Sequence, residues 1–120
     1  MDIRYTDTHE FVAKDGAEFI IGITDHAQES LGDIVFVELP AVGAHFAAKA
    51  GFAVVESVKA ASDIYLPIAG TITAVNDALS GAPETINQDC YGKGWIAKIK
   101  ADNDADFDAL LDEAAYKAIL

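Results

Sequence analysis

The amino-acid sequence predicts a mainly antiparallel β protein with its helices at the margins. Three observations favour this class: many short β-prone runs, frequent turn signals between them, and helical spacing in only a few places. The chain has 120 residues, a length that suits one domain with a modest hydrophobic core. No linker, internal repeat or low-complexity segment divides it, so we expect a single domain over residues 1–120.

The first third of the chain alternates predicted strands with turns. The dipeptide Asp15-Gly16 is a strong hairpin signal between two apolar runs. Residues 24–32 indicate one short helix, with Asp25 as its N-cap, Gln28 completing a capping box, and Gly32 as its stop. The predicted strands of this part are residues 3–5, 11–14, 18–23 and 34–39.

The middle of the chain predicts a second hairpin with a lysine near its tip. The apolar runs 52–55 and 64–66 flank a short polar link that contains Lys59. The nearest other basic residues in sequence are Lys49 and Lys93, and small residues follow Lys59 directly. The simplest interpretation is a solvated charge. An isolated, sterically open lysine on a rigid hairpin is also what a modifying enzyme reaches and what a carrier arm requires.

The last third of the chain predicts two more strands and then helices. Residues 71–75 alternate, residues 76–91 are predicted to be irregular, and residues 94–100 alternate with Trp95 facing inward. From residue 102 the apolar spacing becomes helical, and the predicted apolar positions of these helices are Phe107, Leu110, Leu111, Tyr116, Ile119 and Leu120.

The charge balance narrows the classes of partner. With 20 acidic against 8 basic residues, the formal net charge is −12. This argues against nucleic acid and against anionic membrane surfaces, both of which require basic patches. Acidic residues serve solubility, or they recognise basic docking surfaces on partner proteins. No apolar run is long enough to span a bilayer and no signal or transit segment is evident, so we expect a cytoplasmic protein.

No group of side chains has a pattern typical of catalysis. The three histidines, His9, His26 and His45, are scattered, so we expect no metal site. A lone cysteine, Cys90, excludes an internal disulfide and fits a reducing compartment. This absence of a catalytic constellation fits a carrier, whose reactive chemistry would belong to an attached cofactor.

The residues around Lys59 resemble the lipoylation site of the glycine cleavage system H-protein family. The matching run is Glu-Ser-Val-Lys-Ala-Ala-Ser-Asp-Ile-Tyr at 56–65, followed by Pro67 and Gly70. Biotin carriers usually have Met on both sides of their lysine, and lipoyl domains of 2-oxoacid dehydrogenases usually have Asp before it. The run Gly-Ile-Thr-Asp-His-Ala-Gln at 22–28 also matches. Phe11 and Cys90 depart from the family, which usually has Trp and Pro there.

This resemblance implies a barrel-sandwich hybrid of antiparallel sheets with a lysine-bearing hairpin, and with short helices at the margins and at the C-terminus. It also implies lipoate bound as N6-lipoyllysine at Lys59. In that family, the lipoyl arm takes an aminomethyl group from glycine decarboxylase, a pyridoxal-phosphate enzyme, to the aminomethyltransferase. The resemblance further implies that the arm passes electrons to dihydrolipoamide dehydrogenase and that a lipoate ligase or lipoyltransferase attaches it.

Three acidic residues are further candidates for the site. Glu10 and Asp63 are candidates for docking the loaded arm, because a carboxylate pairs with a cationic amine. Glu56 and Asp63 are candidates for recognition by the modifying enzyme. Two alternatives remain open at this point: a lipoyl carrier that stores or relays lipoate to other enzymes, and a β-domain binding module with an unmodified Lys59.

Overall fold

The computed structural model describes residues 2–120, so Met1, the first residue of the predicted domain, lies outside the described part. Two antiparallel sheets form the body of the protein, as the sequence predicts. The larger sheet has the order β1-β2-β3-β9-β8-β5 and the smaller one β4-β6-β7. The strands are β1 Ile3–Tyr5, β2 Glu10–Asp15, β3 Glu18–Ile23, β4 Ile34–Glu38, β5 His45–Phe46, β6 Gly51–Ser57, β7 Ala61–Tyr65, β8 Gly70–Val75 and β9 Ala97–Ala101.

The two sheets pack face to face around one hydrophobic core. Val12 and Ile99 of the large sheet and Val55 and Ile64 of the small sheet all belong to it. Complete burial of a Val, Leu, Ile or Phe side chain contributes about 1.5–3 kcal/mol, so the alternating apolar pattern of the strands drives this packing. No ladder joins the two sheets among residues 2–120, so they form an open sandwich rather than a strictly closed barrel.

The first hairpin forms where the sequence predicts it. Asp15 pairs with Glu18 at the end of β2 and β3, and Gly16 occupies the turn with φ of 62°. Glycine adopts this left-handed conformation without a steric penalty, which is why the Asp-Gly pair favours the turn.

The predicted short helix is present, but it begins differently from the prediction. Helix α1 spans Asp25–Leu31, and its N-cap is Thr24, whose hydroxyl accepts a bond from the Ala27 N–H at 3.2 Å. The prediction of Asp25 as N-cap is therefore wrong by one residue. Thr24 takes the cap because its backbone is extended, and Asp25 instead accepts a bond from the Gln28 side chain at 2.9 Å. Gly32 ends the helix, as predicted.

Two other expectations are corrected in the segment before β9. Residues 76–91 are not wholly irregular, because they contain the one-turn helices α2 Ala78–Gly81 and α3 Thr85–Asp89. Such short helices show no 3.6-residue period in the sequence. Trp95 does not face inward, because β9 starts only at Ala97. Ile96 is fully buried in its place. The centre of the Trp95 ring lies 5.5 Å from the Lys98 ammonium.

The C-terminal segment packs beside β1 as a 3₁₀ helix, Asp104–Ala109, followed by α4, Glu113–Ala118. Phe107 and Tyr116 are buried, as their predicted helical spacing requires. Ile119 and Leu120 are instead half exposed, because α4 ends before them. Among residues 2–120, no helix combines the length and the apolar character needed to span a membrane.

Candidate functional site

Lys59 lies at the tip of the hairpin formed by β6 and β7, and its side chain is exposed. The last ladder pair is Glu56 with Ala61, and the Ser57 N–H donates to the Ala60 carbonyl at 2.8 Å to close the turn. The Ser57 hydroxyl accepts bonds from the N–H groups of Lys59 and Ala60, each at 3.2 Å. A serine at the start of a turn stabilises it through such local bonds, so the backbone beneath the lysine is fixed.

The hairpin tip is also attached to the loop between α1 and β4. The Val58 N–H donates to the Asp33 carbonyl at 3.0 Å. A Cβ added to Gly32 would lie 3.2 Å from Lys59 Cε and 3.6 Å from its Nζ, so the lysine stem lies along this glycine. Within residues 2–120, the Lys59 ammonium has no ion-pair partner. The backbone at Lys59 is therefore fixed, while its amine is exposed and has no ion-pair partner among residues 2–120.

Glu56 and Asp63 share the outer, solvent-facing side of the small sheet. Glu56 is flanked across the ladder by Phe36 and Ala61, and all three are exposed. Asp63 lies one outward-facing row farther from the tip, in line with Val54 and Glu38. The structure therefore places the two modification-recognition candidates on one acidic face below the lysine.

Exposed apolar side chains on the same sheet were not predicted from the sequence. The pairing of β4 with β6 shifts between Ile34 and Phe36, and this irregularity leaves Val35 54% and Phe36 49% exposed. A bulge re-aims side chains in this way. The uninterrupted apolar run of β4 indicates a buried strand, and nothing in it signals the bulge.

A cleft of about 500 Å³ lies between the 5–10 segment, the end of β7 and residues 109–111. Glu10 lines it, and its side chain is 2% exposed. One carboxylate oxygen accepts bonds from the hydroxyls of Thr6 and Thr8, and the other lies 3.5 Å from the Tyr65 N–H. Burial raises the pKa of Glu10, and the threonine hydrogen bonds oppose that rise.

The environment of Glu10 makes it suited to a cationic guest. No cationic nitrogen of residues 2–120 lies within 4.0 Å of its carboxylate. A buried carboxylate without a counter-charge is destabilised relative to the same group in water, and a bound cation relieves that cost. Lys49 also lines the cleft, and the sequence analysis did not identify it as a site residue. Its backbone has φ of 68°, and its N–H donates to the Leu66 carbonyl at 2.6 Å.

The two arm-docking candidates are not brought together. Glu10 lines the large cleft, whereas Asp63 is exposed and lines a smaller, separate depression with Glu38 and Val54. In an antiparallel sheet, side chains alternate between faces, and Asp63 lies on the face directed away from the core. Of these two residues, only Glu10 is in a position to hold a group inside the cleft.

The histidines are partly clustered, although the sequence predicts them as scattered. The rings of His9 and His26 lie 4.4 Å apart, and His9 Nδ1 lies 2.7 Å from the Tyr116 hydroxyl. Burial, followed by the nearby His26, lowers the pKa of His9. His45 pairs with Asp102 at 2.6 Å. Over residues 2–120, no group of three or more His, Cys, Asp or Glu side chains is arranged to hold a metal ion.

Phe11 and Cys90, the two departures from the family pattern, are both buried. Phe11 is buried, and its ring meets Tyr91 edge-on at 5.1 Å. The Tyr91 hydroxyl accepts a bond from the Asp25 N–H at 3.1 Å, which joins this aromatic pair to α1. Burial, with the negative charge of Asp25, raises the pKa of Cys90 to about 11, so its thiol is protonated and unreactive at neutral pH.

Comparison with known proteins gives a consistent result over nearly the whole chain. The family model described as glycine cleavage H-protein matches residues 3–120. A glycine cleavage system H protein of Citrobacter koseri is 54% identical over 121 residues, covering 100% of this chain and 94% of the relative. One of Phenylobacterium zucineum is 53% identical over 118 residues, covering 98% of each.

A solved structure agrees with the sequence matches. The crystal structure of a glycine cleavage system H protein from Mycobacterium marinum superposes with a TM-score of 0.87 at 37% identity. The match covers 98% of this chain and 94% of that one, so the two-sheet architecture is shared throughout. This chain belongs to the glycine cleavage H-protein family.

Proposed function

We propose that this chain is the lipoyl-bearing shuttle of the glycine cleavage system, with lipoate attached as N6-lipoyllysine at Lys59. The observation that carries the proposal is an exposed lysine without an ion-pair partner at the tip of a hydrogen-bonded hairpin in a member of this family. We further propose that residues 1–120 act as one carrier domain in the cytoplasm. Bacterial relatives and a single, buried cysteine support that compartment.

The attached group supplies the reactive chemistry, and the protein supplies its anchor. An amide at Lys59 forms only with an activated acyl group, so a lipoate ligase or lipoyltransferase must bring one to the hairpin tip. Glu56 and Asp63 on the outer face beside the tip are the residues we assign to recognition by that enzyme. The lipoyl dithiolane is a disulfide with two-electron chemistry, which suits a carrier of both a one-carbon group and reducing equivalents.

The partners in the proposed cycle are three enzymes. Glycine decarboxylase, a pyridoxal-phosphate enzyme, would release CO2 from glycine and load the remaining aminomethyl group onto the arm. The aminomethyltransferase would pass the one-carbon unit to tetrahydrofolate with release of ammonia, and dihydrolipoamide dehydrogenase would reoxidise the dithiol that remains. The chain itself is the carrier component and not a catalyst, and its acidic surface, with a net charge of −12, suits successive docking on basic surfaces.

Glu10 is the residue we assign to holding the loaded arm. Its carboxylate approaches the Tyr65 N–H, and β7 runs from Tyr65 back to Ala61 beside the tip. Four residue steps of a strand span roughly 13 Å, a distance comparable with the length of a lipoyl chain extended from a lysine. An aminomethyl amine is cationic, so in the cleft it meets a buried carboxylate that has no cationic nitrogen of residues 2–120 within 4.0 Å.

The first prediction concerns the attachment site. Lys59→Arg keeps a positive charge but removes the primary amine, so we expect no lipoylation and no carrier activity with an unchanged fold. Lys93→Arg, at another exposed lysine in a turn, is the matched control and should be lipoylated fully. Peptide mass mapping after expression with lipoate measures both. A lipoyl group on any other lysine of the Lys59→Arg protein would refute the assignment.

The second prediction concerns the pH dependence of stability at Glu10. Its folded-state pKa is raised above the ordinary 4.5, so the folded protein binds more protons than the unfolded chain between pH 4.5 and the folded pKa. The free energy of unfolding therefore falls in this window as the pH rises. In Glu10→Gln this contribution is absent. Denaturant titrations should therefore show that the free energy of unfolding of the variant rises relative to that of the parent as the pH rises. A difference that stays constant across the window would contradict the raised pKa.

The third prediction concerns the lifetime of the loaded arm. A hydrogen bond to a charged group contributes about 1.5 kcal/mol or more, so Glu10→Gln should speed release of formaldehyde and ammonia roughly tenfold. Asp63→Asn removes the same charge outside the cleft and should leave the rate unchanged. The measurement uses purified loaded protein without partner enzymes. Equal rates in the parent and in Glu10→Gln would show that the cleft carboxylate does not hold the amine.

A further inference from the structure

The side-chain amide of Asn87, in α3, joins segments that are distant in sequence. Its Oδ1 accepts a bond from the Ile34 N–H at 2.9 Å. Its Nδ2 donates to the Gly32 carbonyl at 2.8 Å and to Gln28 Oε1 at 3.0 Å. One amide therefore satisfies backbone groups on both sides of Asp33 and links them to α1 and α3.

Asp33, between these two contacts, is the residue that holds the lysine hairpin. Its carbonyl accepts the Val58 N–H at 3.0 Å, and the neighbouring Gly32 lies against the stem of Lys59. A continuous series of contacts thus runs from Asn87 through the 32–34 loop to the residue before Lys59 and to the lysine stem. Nothing in the proposed function of Lys59, Glu10, Glu56 or Asp63 makes use of Asn87.

The hairpin tip needs this support because regular strand pairing is interrupted beside it. The β4–β6 ladder shifts between Ile34 and Phe36, next to the last pair, Ile34 with Ser57. Gly32 has φ of 78° and ψ of −152°, a conformation that glycine adopts readily and residues with a Cβ rarely do. The Asn87 amide supplies, at both ends of Asp33, hydrogen bonds that hold the loop where the ladder is irregular.

We propose that Asn87 is a positioning residue for the acylation of Lys59: it fixes the 32–34 loop, and through the Asp33 carbonyl it sets where the hairpin tip presents the amine. This inference rests on the proposed lipoylation of Lys59. Asn87 does not touch the reacting atoms. Asn87 acts on the geometry in which Nζ meets an activated acyl group. Acyl transfer is sensitive to displacements of about 1 Å between the reacting atoms.

A second asparagine of the chain provides a matched control for general stability. Asn76 is 8% exposed, and its Nδ2 donates to the carbonyls of Lys93 and Trp95, each at 2.8 Å. It therefore also ties two backbone segments through its amide, but these segments precede β9 and make no bond to the hairpin tip among those described. Loss of Asn76 tests what removing such an amide does to the fold alone.

The experiment compares unlipoylated parent, Asn87→Ala, Asn87→Asp and Asn76→Ala. Thermal unfolding is measured first, and the kinetics of lipoyl transfer by a lipoate ligase, with lipoate and ATP, are then measured well below each Tm. Asn87→Asp keeps the acceptor for the Ile34 N–H but sets a carboxylate oxygen against two acceptors, Gly32 O and Gln28 Oε1. It also provides a size-matched variant if Asn87→Ala does not fold.

We expect both Asn87 variants to lose roughly tenfold or more in kcat/KM for acylation, mainly in kcat, because the amine is misplaced rather than unrecognised. The backbone amide resonances of Val58 and Lys59 should shift in the same variants. Asn76→Ala should lose stability but keep the kinetics and these resonances of the parent. Acylation of the Asn87 variants at the parent rate, or equal slowing by Asn76→Ala, would overturn the positioning role. A parent protein that is not acylated at Lys59 would overturn the proposed function and this inference together.

Discussion

The hydrogen bond from the Val58 N–H to the Asp33 carbonyl is the contact on which the presentation of Lys59 depends. For the lipoyl attachment that we propose, the Lys59 side chain must be free in solvent while its backbone stays in place. The ladder of β6 and β7 ends at Glu56 and Ala61, so the residues beyond it need other partners. Ser57 closes the turn from within, and Asp33 holds it from the neighbouring loop.

Acidic residues near the site lie in two electrostatic environments. Those on the outer face of the small sheet, Glu38, Glu56 and Asp63, are exposed and form no ion pair within residues 2–120. Solvent screens such charges, so they contribute little to stability. Glu10 differs because it is buried and hydrogen-bonded, and its raised pKa records the cost of keeping a charge there.

The features predicted correctly from the sequence are those set by local signals. The Asp15-Gly16 turn, the stop of α1 at Gly32 and the lysine hairpin each depend on residues within a few positions of one another. Lys59 was identified as the lipoylation candidate from a resemblance to one family. The family assignment is confirmed by the comparisons. Periodicity alone gives a β protein with an exposed lysine and does not indicate what the lysine carries.

The features missed or misjudged depend on contacts between distant residues. Glu10 approaches the Tyr65 N–H across 55 positions, so its burial cannot be inferred from the polar run around it. Asp63 is close to Lys59 in sequence, yet strand alternation directs it away from the cleft. The bulge that exposes Phe36 and the amide contacts of Asn87 likewise depend on the register between segments, which no local pattern specifies.

The central claim is that a fixed backbone presents a chemically free lysine. Backbone ¹⁵N relaxation of the unlipoylated protein in solution tests this claim most directly. We expect order parameters near 0.85 for Val58, Lys59 and Ala60, equal to those of the core strands and typical of a rigid backbone. Values below about 0.6 at these three residues, with rigid flanking strands, would contradict it, because the turn would then be mobile despite the contacts of Ser57 and Asp33.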